Sequence, residues 1–174
     1  MFSTGPEDPD LDLRRAGEAL QYGRERANGS VERLLDPWIV RSPDRRGALV
    51  VKSDFITLAH MGWSAQRDGR LLTARELDEE TFVLRALRET LHVEGVVASS
   101  AIGLVERVEL LNGTIPLQPI SFYVKLERTE SDEDWRFDAY FPMKGLAPAS
   151  KVRLRIQGSG GKEMVIPVDL SKIR

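Results

Sequence analysis

The sequence predicts an α+β chain that is mainly β: an antiparallel, immunoglobulin-like β-sandwich of about seven or eight short strands. A helical hairpin is inserted at residues 53–89, and a peripheral helix precedes the sandwich. Three observations carry this reading. From Leu91 onward the apolar residues recur with a period of two. Glycine-rich turn signals punctuate those runs at Asn112-Gly113 and at Gly158-Ser159-Gly160-Gly161. Between Ser53 and Leu91 the period is helical instead.

Composition bounds the rest. A chain of 174 residues with 41% hydrophobic and 30% charged residues has the balance of a soluble globular domain. It contains no cysteine, which excludes a disulfide framework, a cysteine nucleophile and a cysteine metal site. No apolar run reaches the ~18 residues that a membrane-spanning helix needs. A net charge of −2 lacks the basic footprint of a nucleic-acid binder.

Residues 1–10, with Gly5, Pro6, Pro9 and three acids, read as a disordered tail. Residues 11–35 read as the peripheral helix. Leu13, Ala16, Leu20 and Ala27 make a thin stripe, and Gly17 and Gly23 each weaken it by up to ~1 kcal/mol relative to alanine. Asn28-Gly29-Ser30 ends the first helical run, and Ser30 is placed to cap a short turn over residues 31–35. Residues 36–174 then form a single sandwich domain with the helical insertion.

Within that domain, Ala48–Val51 reads as a buried strand after a turn at residues 42–47. Phe55, Leu58, Ala59, Gly62 and Ala65 form the stripe of the first inserted helix, which Asp68-Gly69 stops. Thr73 and Glu76 form a capping box for the second, whose apolar face is Leu77, Leu84, Leu87 and Leu91. His92–Ala98 is a strand in which Gly95 marks a bulge.

Three hairpins follow. A type I′ turn at Asn112-Gly113 pairs Leu110 with Ile115 and Val108 with Leu117. Joining residues 122–127 to 135–141 through an acidic loop pairs Phe122 with Phe141 and Val124 with Ala139. On the outer face the same register sets Tyr123 against Tyr140, Lys125 against Asp138 and Glu127 against Arg136. The third hairpin pairs Ile156 with Met164 around a three-residue loop, Ser159–Gly161.

No catalytic, cofactor-binding or metal-binding constellation is legible. His60 sits in the middle of an apolar helix beside Met61 and Trp63 and reads as a partly buried helix residue, since a catalytic base needs an oriented partner within reach. His92 and Glu94 share a strand face, but two ligands do not make a zinc site. No Gly-x-Ser-x-Gly elbow exists, and the glycine-rich run at 158–161 leads into a strand, so it is a hairpin turn and not a phosphate loop. The acids Glu130, Asp132, Glu133 and Asp134 lack the glycine turn and distal glutamate of a calcium loop.

Two surfaces remain as candidates. Tyr123, Arg136, Tyr140, Lys151, Arg153 and Arg155 form a candidate interaction face, because tyrosines favour interfaces and the basic strands at 150–174 offset the acidic segment 127–138. His60, Trp63 and His92 mark a candidate cleft between hairpin and sandwich. The resulting expectation is a non-enzymatic interaction or accessory module whose partner is another protein or an envelope polymer. The alternatives are a small-ligand binder or hydrolytic enzyme at the cleft, and a structural subunit of a larger assembly.

A strand at Ala48–Val51 running into Phe55-x-x-Leu58-Ala59, then Arg70-Leu71-Leu72-Thr73, then a β-rich half ending Ile166-Pro167-Val168-Asp169-Leu170-Ser171-Lys172-Ile173-Arg174, resembles a group of small bacterial proteins, many of them predicted lipoproteins. The resemblance spans residues 37–174 and implies a location at the cell envelope in preference to the cytoplasm. Lipid anchoring would require a signal and a cysteine ahead of Met1. The group has no established activity, so the resemblance supplies no sites.

Overall fold

The computed structural model describes residues 9–86, 90–128, 132–146 and 150–172, and the side chains of these apart from residues 9–14 and 81–86. The chain divides into two compact units. One joins the chain up to Asp36 to Asp54–Thr81; the other joins Pro37–Ser53 to Phe82–Arg174.

The first unit is helical. Helix α1 (Pro9–Glu25) begins two residues earlier than the anticipated start at residue 11, at a proline. A helix has no use for the amide of its first residue, and proline has none to offer. The rest of the anticipated tail, residues 1–8, lies outside the described residues. Helix α2 (Val31–Leu35) is capped as anticipated, with Ser30 Oγ accepting from the Arg33 amide at 3.3 Å.

Helix α3 (Asp54–Arg67) packs against α1. The contact explains two glycines that sequence alone reads as weak points. A Cβ on Gly23 would stand 1.8 Å from the Ala59 carbonyl oxygen, and one on Gly62 would stand 2.3 Å from that of Leu20. Only bare backbone allows the helices to come this close. Ala19, Ile56 and Ala59 are buried, and Tyr22 meets Phe55 edge-on with ring centroids 5.7 Å apart. Gly69, at φ +64, ends α3, with the Arg70 amide donating to the Ala65 carbonyl. The capping box forms at the start of α4 (Ala74–Ala86): the Thr73 amide donates to Glu76 Oε2 at 2.8 Å, and the Glu76 amide to Thr73 Oγ1 at 3.2 Å. Leu84 and Leu87 of its anticipated apolar face lie outside the residues with described side chains.

The second unit is β-rich, α+β overall but mainly β. Among the described residues nine strands form two antiparallel sheets, one or two more than the sequence suggested. The first sheet holds β1 (Val40–Arg41), β2 (Gly47–Val51), β3 (Thr90–Ala98), β6 (Ser121–Arg128) and β7 (Glu133–Pro142), in the order β1-β2-β3-β7-β6. The second holds β4 (Val105–Asn112), β5 (Ile115–Leu117), β8 (Lys151–Gly158) and β9 (Glu163–Asp169), in the order β5-β4-β8-β9. A short helix, α5 (Ser99–Ile102), links the two between β3 and β4. One core joins the sheets: Leu49, Val93, Phe137 and Phe141 of the first meet Leu110, Leu154, Ile156 and Ile166 of the second. Burial of these alternating positions is what drives this unit together.

The third hairpin has the anticipated register, Ile156 opposite Met164. The other two are displaced by two residues. In the first, Asn112 lies opposite Ile115 and Leu110 opposite Leu117, so the turn is Gly113-Thr114. Gly113 alone takes the positive φ, +63, the requirement of a type II′ turn. Asn112 stays in the strand and its side chain donates to the Gly145 carbonyl. In the second hairpin, Phe122 lies opposite Ala139, Tyr123 opposite Asp138 and Lys125 opposite Arg136. A slip of two leaves every side chain on its original face, so burial does not distinguish the registers.

The anticipated bulge at Gly95 is absent, since β3 pairs continuously with β7 through that residue. Gly95 serves packing instead: a Cβ there would lie 2.3 Å from the Phe137 ring.

Candidate functional site: a cation-rimmed groove

The anticipated interaction face divides between two sheets. Tyr123, Arg136 and Tyr140 alternate with the core residues Phe122, Phe137 and Phe141, so they stand on the outer side of the first sheet. Lys151, Arg153 and Arg155 alternate with Val152, Leu154 and Ile156, so they stand on the outer side of the second. The six residues therefore do not form one patch. Of the anticipated cleft, His60 and Trp63 belong to α3 in the first unit, and His92 belongs to β3 in the second. The ring of His60 lies beside that of Trp63, centroids 5.7 Å apart, and Trp63 Nε1–H donates to the Gly29 carbonyl at 3.1 Å.

On the outer side of the first sheet, His92 finds its partner across the ladder and not along its own strand. Its Nε2 lies 2.7 Å from Asp138 Oδ1, and its ring stacks on Tyr140 at 4.2 Å. Glu94 pairs with Lys52 at 3.1 Å. Arg136 reaches diagonally to Glu127 at 2.5 Å. Burial, Asp138 and Glu94 together push the Tyr140 hydroxyl above its ordinary range. His92, Lys52, Glu94, Glu127, Arg136 and Asp138 thus pair among themselves.

On the second sheet, Arg155 is committed to Glu109. The carboxylate accepts from Arg155 Nε at 3.0 Å and from Nη2, while Gln118 and Arg107 approach its other oxygen. The Arg155 guanidinium and the Gln118 amide hold Glu109 below the usual carboxylate range against the cost of burial.

Lys151 and Arg153 have a different setting. They line a surface groove of about 700 Å³ together with the segment Pro37–Arg41, Leu111, Gly113, Pro167, Asp169 and Lys172. Strand β1 lies beside β9, which brings residues distant in sequence to one crevice. The lining divides by origin. The chain from Pro37 to Val51 supplies apolar Pro37, Trp38, Ile39, Val40 and Val51, together with Arg41. Strands β8 and β9 and the turn after them supply the cations Lys151, Arg153 and Lys172 together with apolar Val152, Pro167 and Val168. Arg153 is oriented by donating to the Gly113 carbonyl at 3.2 Å. Asp169 is the one carboxylate among the lining residues. It accepts from the Ser171 hydroxyl at 2.6 Å and the Ser171 amide at 3.0 Å, and with Lys172 and Lys151 nearby its pKa is lowered.

No family model matches the chain, and no curated protein matches it. It is similar in fold to a solved structure of a bacterial protein of unknown function from Burkholderia pseudomallei K96243. The identity is 12%, 90% of each chain is covered and the TM-score is 0.54. At that identity the likeness shows the fold alone.

The groove combines apolar contact with a surplus of positive charge, and that combination suits a ligand carrying both features. Among the described residues, no three histidines, aspartates or glutamates converge as metal ligands. No described helix is long and apolar enough to cross a membrane. Sequence reasoning had Lys151 and Arg153 from strand alternation, but it missed Trp38, Arg41 and Asp169 as neighbours of theirs. The available signal was the short run Pro37-Trp38-Ile39-Val40-Arg41, which is too apolar for a free surface loop.

Proposed function

We propose that this chain is a non-enzymatic interaction module on an immunoglobulin-like sandwich that docks an anionic partner in the groove. Strand order supports the sandwich type. The run β2-β3-β7-β6 follows the A-B-E-D order of immunoglobulin domains, and β5-β4-β8-β9 follows C′-C-F-G. The helices α3 and α4 then occupy the A–B connection, and β1 is an added edge.

The observation that carries the docking reading is the charge imbalance of an otherwise apolar groove: Lys151, Arg153 and Lys172 against Asp169. Such a surface steers anionic partners and fixes their orientation. Titration with poly-aspartate at low salt, followed by backbone amide shifts, is expected to perturb Trp38–Arg41, Lys151, Arg153 and Lys172, and to fade at high salt. Shifts scattered over both sheets, or none, would remove the reading.

The groove's volume favours a second reading, a small amphiphilic acid, since ligand pockets span about 300–1,000 Å³. Decanoate saturating the same amides at one equivalent, with poly-aspartate inert, would favour it. We place the module at the bacterial envelope on the strength of its resemblance to predicted lipoproteins, and cell fractionation tests that location.

A further inference from the structure

Resting on the groove-docking reading, we infer that the partner presents an extended segment in which acidic and apolar residues alternate. The argument starts from how the lining is divided. The continuous apolar stretch Pro37–Val40 comes from the chain ahead of β2, whereas the cations Lys151, Arg153 and Lys172 come from the C-terminal strands and the turn after them, where apolar Val152, Pro167 and Val168 line the groove beside them. A ligand that satisfies both carries charged and apolar groups close together, because Lys151 and Arg153 flank Val152 in the lining.

An extended polypeptide has that property at its smallest repeat. Successive side chains point to opposite sides, so a strict acid–apolar alternation yields one charged face and one apolar face. Lys151 and Arg153 are two residues apart on β8 and on the same face. Their spacing along the strand is therefore about 7 Å, the spacing of like positions on a partner strand. A segment with its acids in one block and its apolar residues in another would leave either the cations or the apolar lining beside them without a matching group.

The lining also disfavours a uniformly charged partner relative to an alternating one. Asp169 lies among the cations and stays ionised, held by Ser171. It would repel a continuous polyanion at that point, whereas an alternating segment can place an uncharged residue there. The arrangement thus selects for pattern as well as charge.

Two peptides of one composition test this: an eight-residue alternation of Glu and Val, and a block of four Glu followed by four Val, both capped at the ends. The alternating peptide is expected to bind about tenfold more tightly or better, because the block peptide engages only part of the lining. The exposed pair Lys151→Glu/Arg153→Glu is expected to weaken it about tenfold, and Lys162→Glu, outside the groove, to leave it unchanged. Unaltered circular dichroism of each variant confirms folding. Equal affinity of the two peptides would overturn the inference and leave the groove reading standing. Failure of both peptides together with poly-aspartate would overturn both.

Discussion

Gly23 of α1 lies directly on the backbone of Ala59 in α3, so close that a Cβ at position 23 would fall 1.8 Å from the Ala59 carbonyl oxygen. Backbone atoms cannot swing aside as a side chain does. Gly23→Ala is therefore expected to destabilise the helical unit by about 2–4 kcal/mol. Gly17, on the same helix, has open space around its missing side chain. Gly17→Ala is expected to stabilise by up to about 1 kcal/mol through helix propensity alone. Hydrogen exchange of the α1 amides reads both effects, and a common sign for the two substitutions would show that the crossing does not depend on Gly23.

Gly103 and Ser159 make a second tight contact. Gly103 sits at φ +72, and a Cβ there would lie 2.2 Å from Ser159 Oγ. Ser159 fixes the chain at this point: its hydroxyl accepts from the Leu104 amide at 3.0 Å, and its amide donates to the Leu104 carbonyl at 2.9 Å. Gly103→Ala combines strain with collision and is expected to cost about 2–3 kcal/mol. Ser159→Ala loses one hydrogen bond, about 1 kcal/mol. In the double variant the collision disappears while the backbone strain remains, so the two costs should sum to more than the measured loss. Strict additivity in denaturant titrations would refute the contact.

These two contacts mark where sequence reading stops. Alternation in residues 122–126 and 152–156 identifies strands and their buried faces because each residue's burial depends on its immediate neighbours. The Ser159–Gly161 turn is legible for the same reason. The registers of the other two hairpins are not, since a slip of two preserves every face; Tyr123 lies opposite Asp138, and Tyr140 stacks on His92. Gly23 and Gly62 read locally as helix weaknesses because their reason lies on another helix. The groove is half legible: Lys151 and Arg153 follow from one strand's alternation, but Trp38 and Arg41 join them only once β1 is set beside β9.

Tyr140 offers a spectroscopic check on the outer face of the first sheet. Its pKa is raised by burial first, then by the charges of Asp138 and Glu94. A folded-state pKa above the unfolded value of 10.0 means that this group's stabilising contribution is complete below pH 10 and is lost as pH rises through the folded value. The ultraviolet tyrosinate signal is expected to show a late-titrating component that Tyr140→Phe removes. Asp138→Asn should shift that component to lower pH by removing one nearby negative charge. An unchanged titration in Asp138→Asn would separate Tyr140 from the His92–Asp138 pair.

Glu109 gives the opposite pH dependence. It is 2% exposed on the second sheet, with Arg155, Gln118 and Arg107 around its carboxylate. The hydrogen bond from Arg155 is the chief reason that its pKa lies below 4.5, with Gln118 next and burial opposing both. A depressed folded-state pKa contributes stability that is present above the unfolded value and is lost as pH falls through the folded one. Wild-type stability should therefore decline below about pH 4.5 in part through this residue. Glu109→Gln keeps the shape and removes the charge, so its deficit relative to wild type should be largest near neutral pH and shrink as the solution is acidified. Glu109→Ala is expected to cost about 2–4 kcal/mol, because it also strands the groups that converge on the carboxylate. Urea unfolding across the acid range measures the deficit. A gap between wild type and Glu109→Gln that stays constant from neutral pH to well below pH 4.5 would mean that Arg155 does not hold the Glu109 carboxylate ionised in the folded protein.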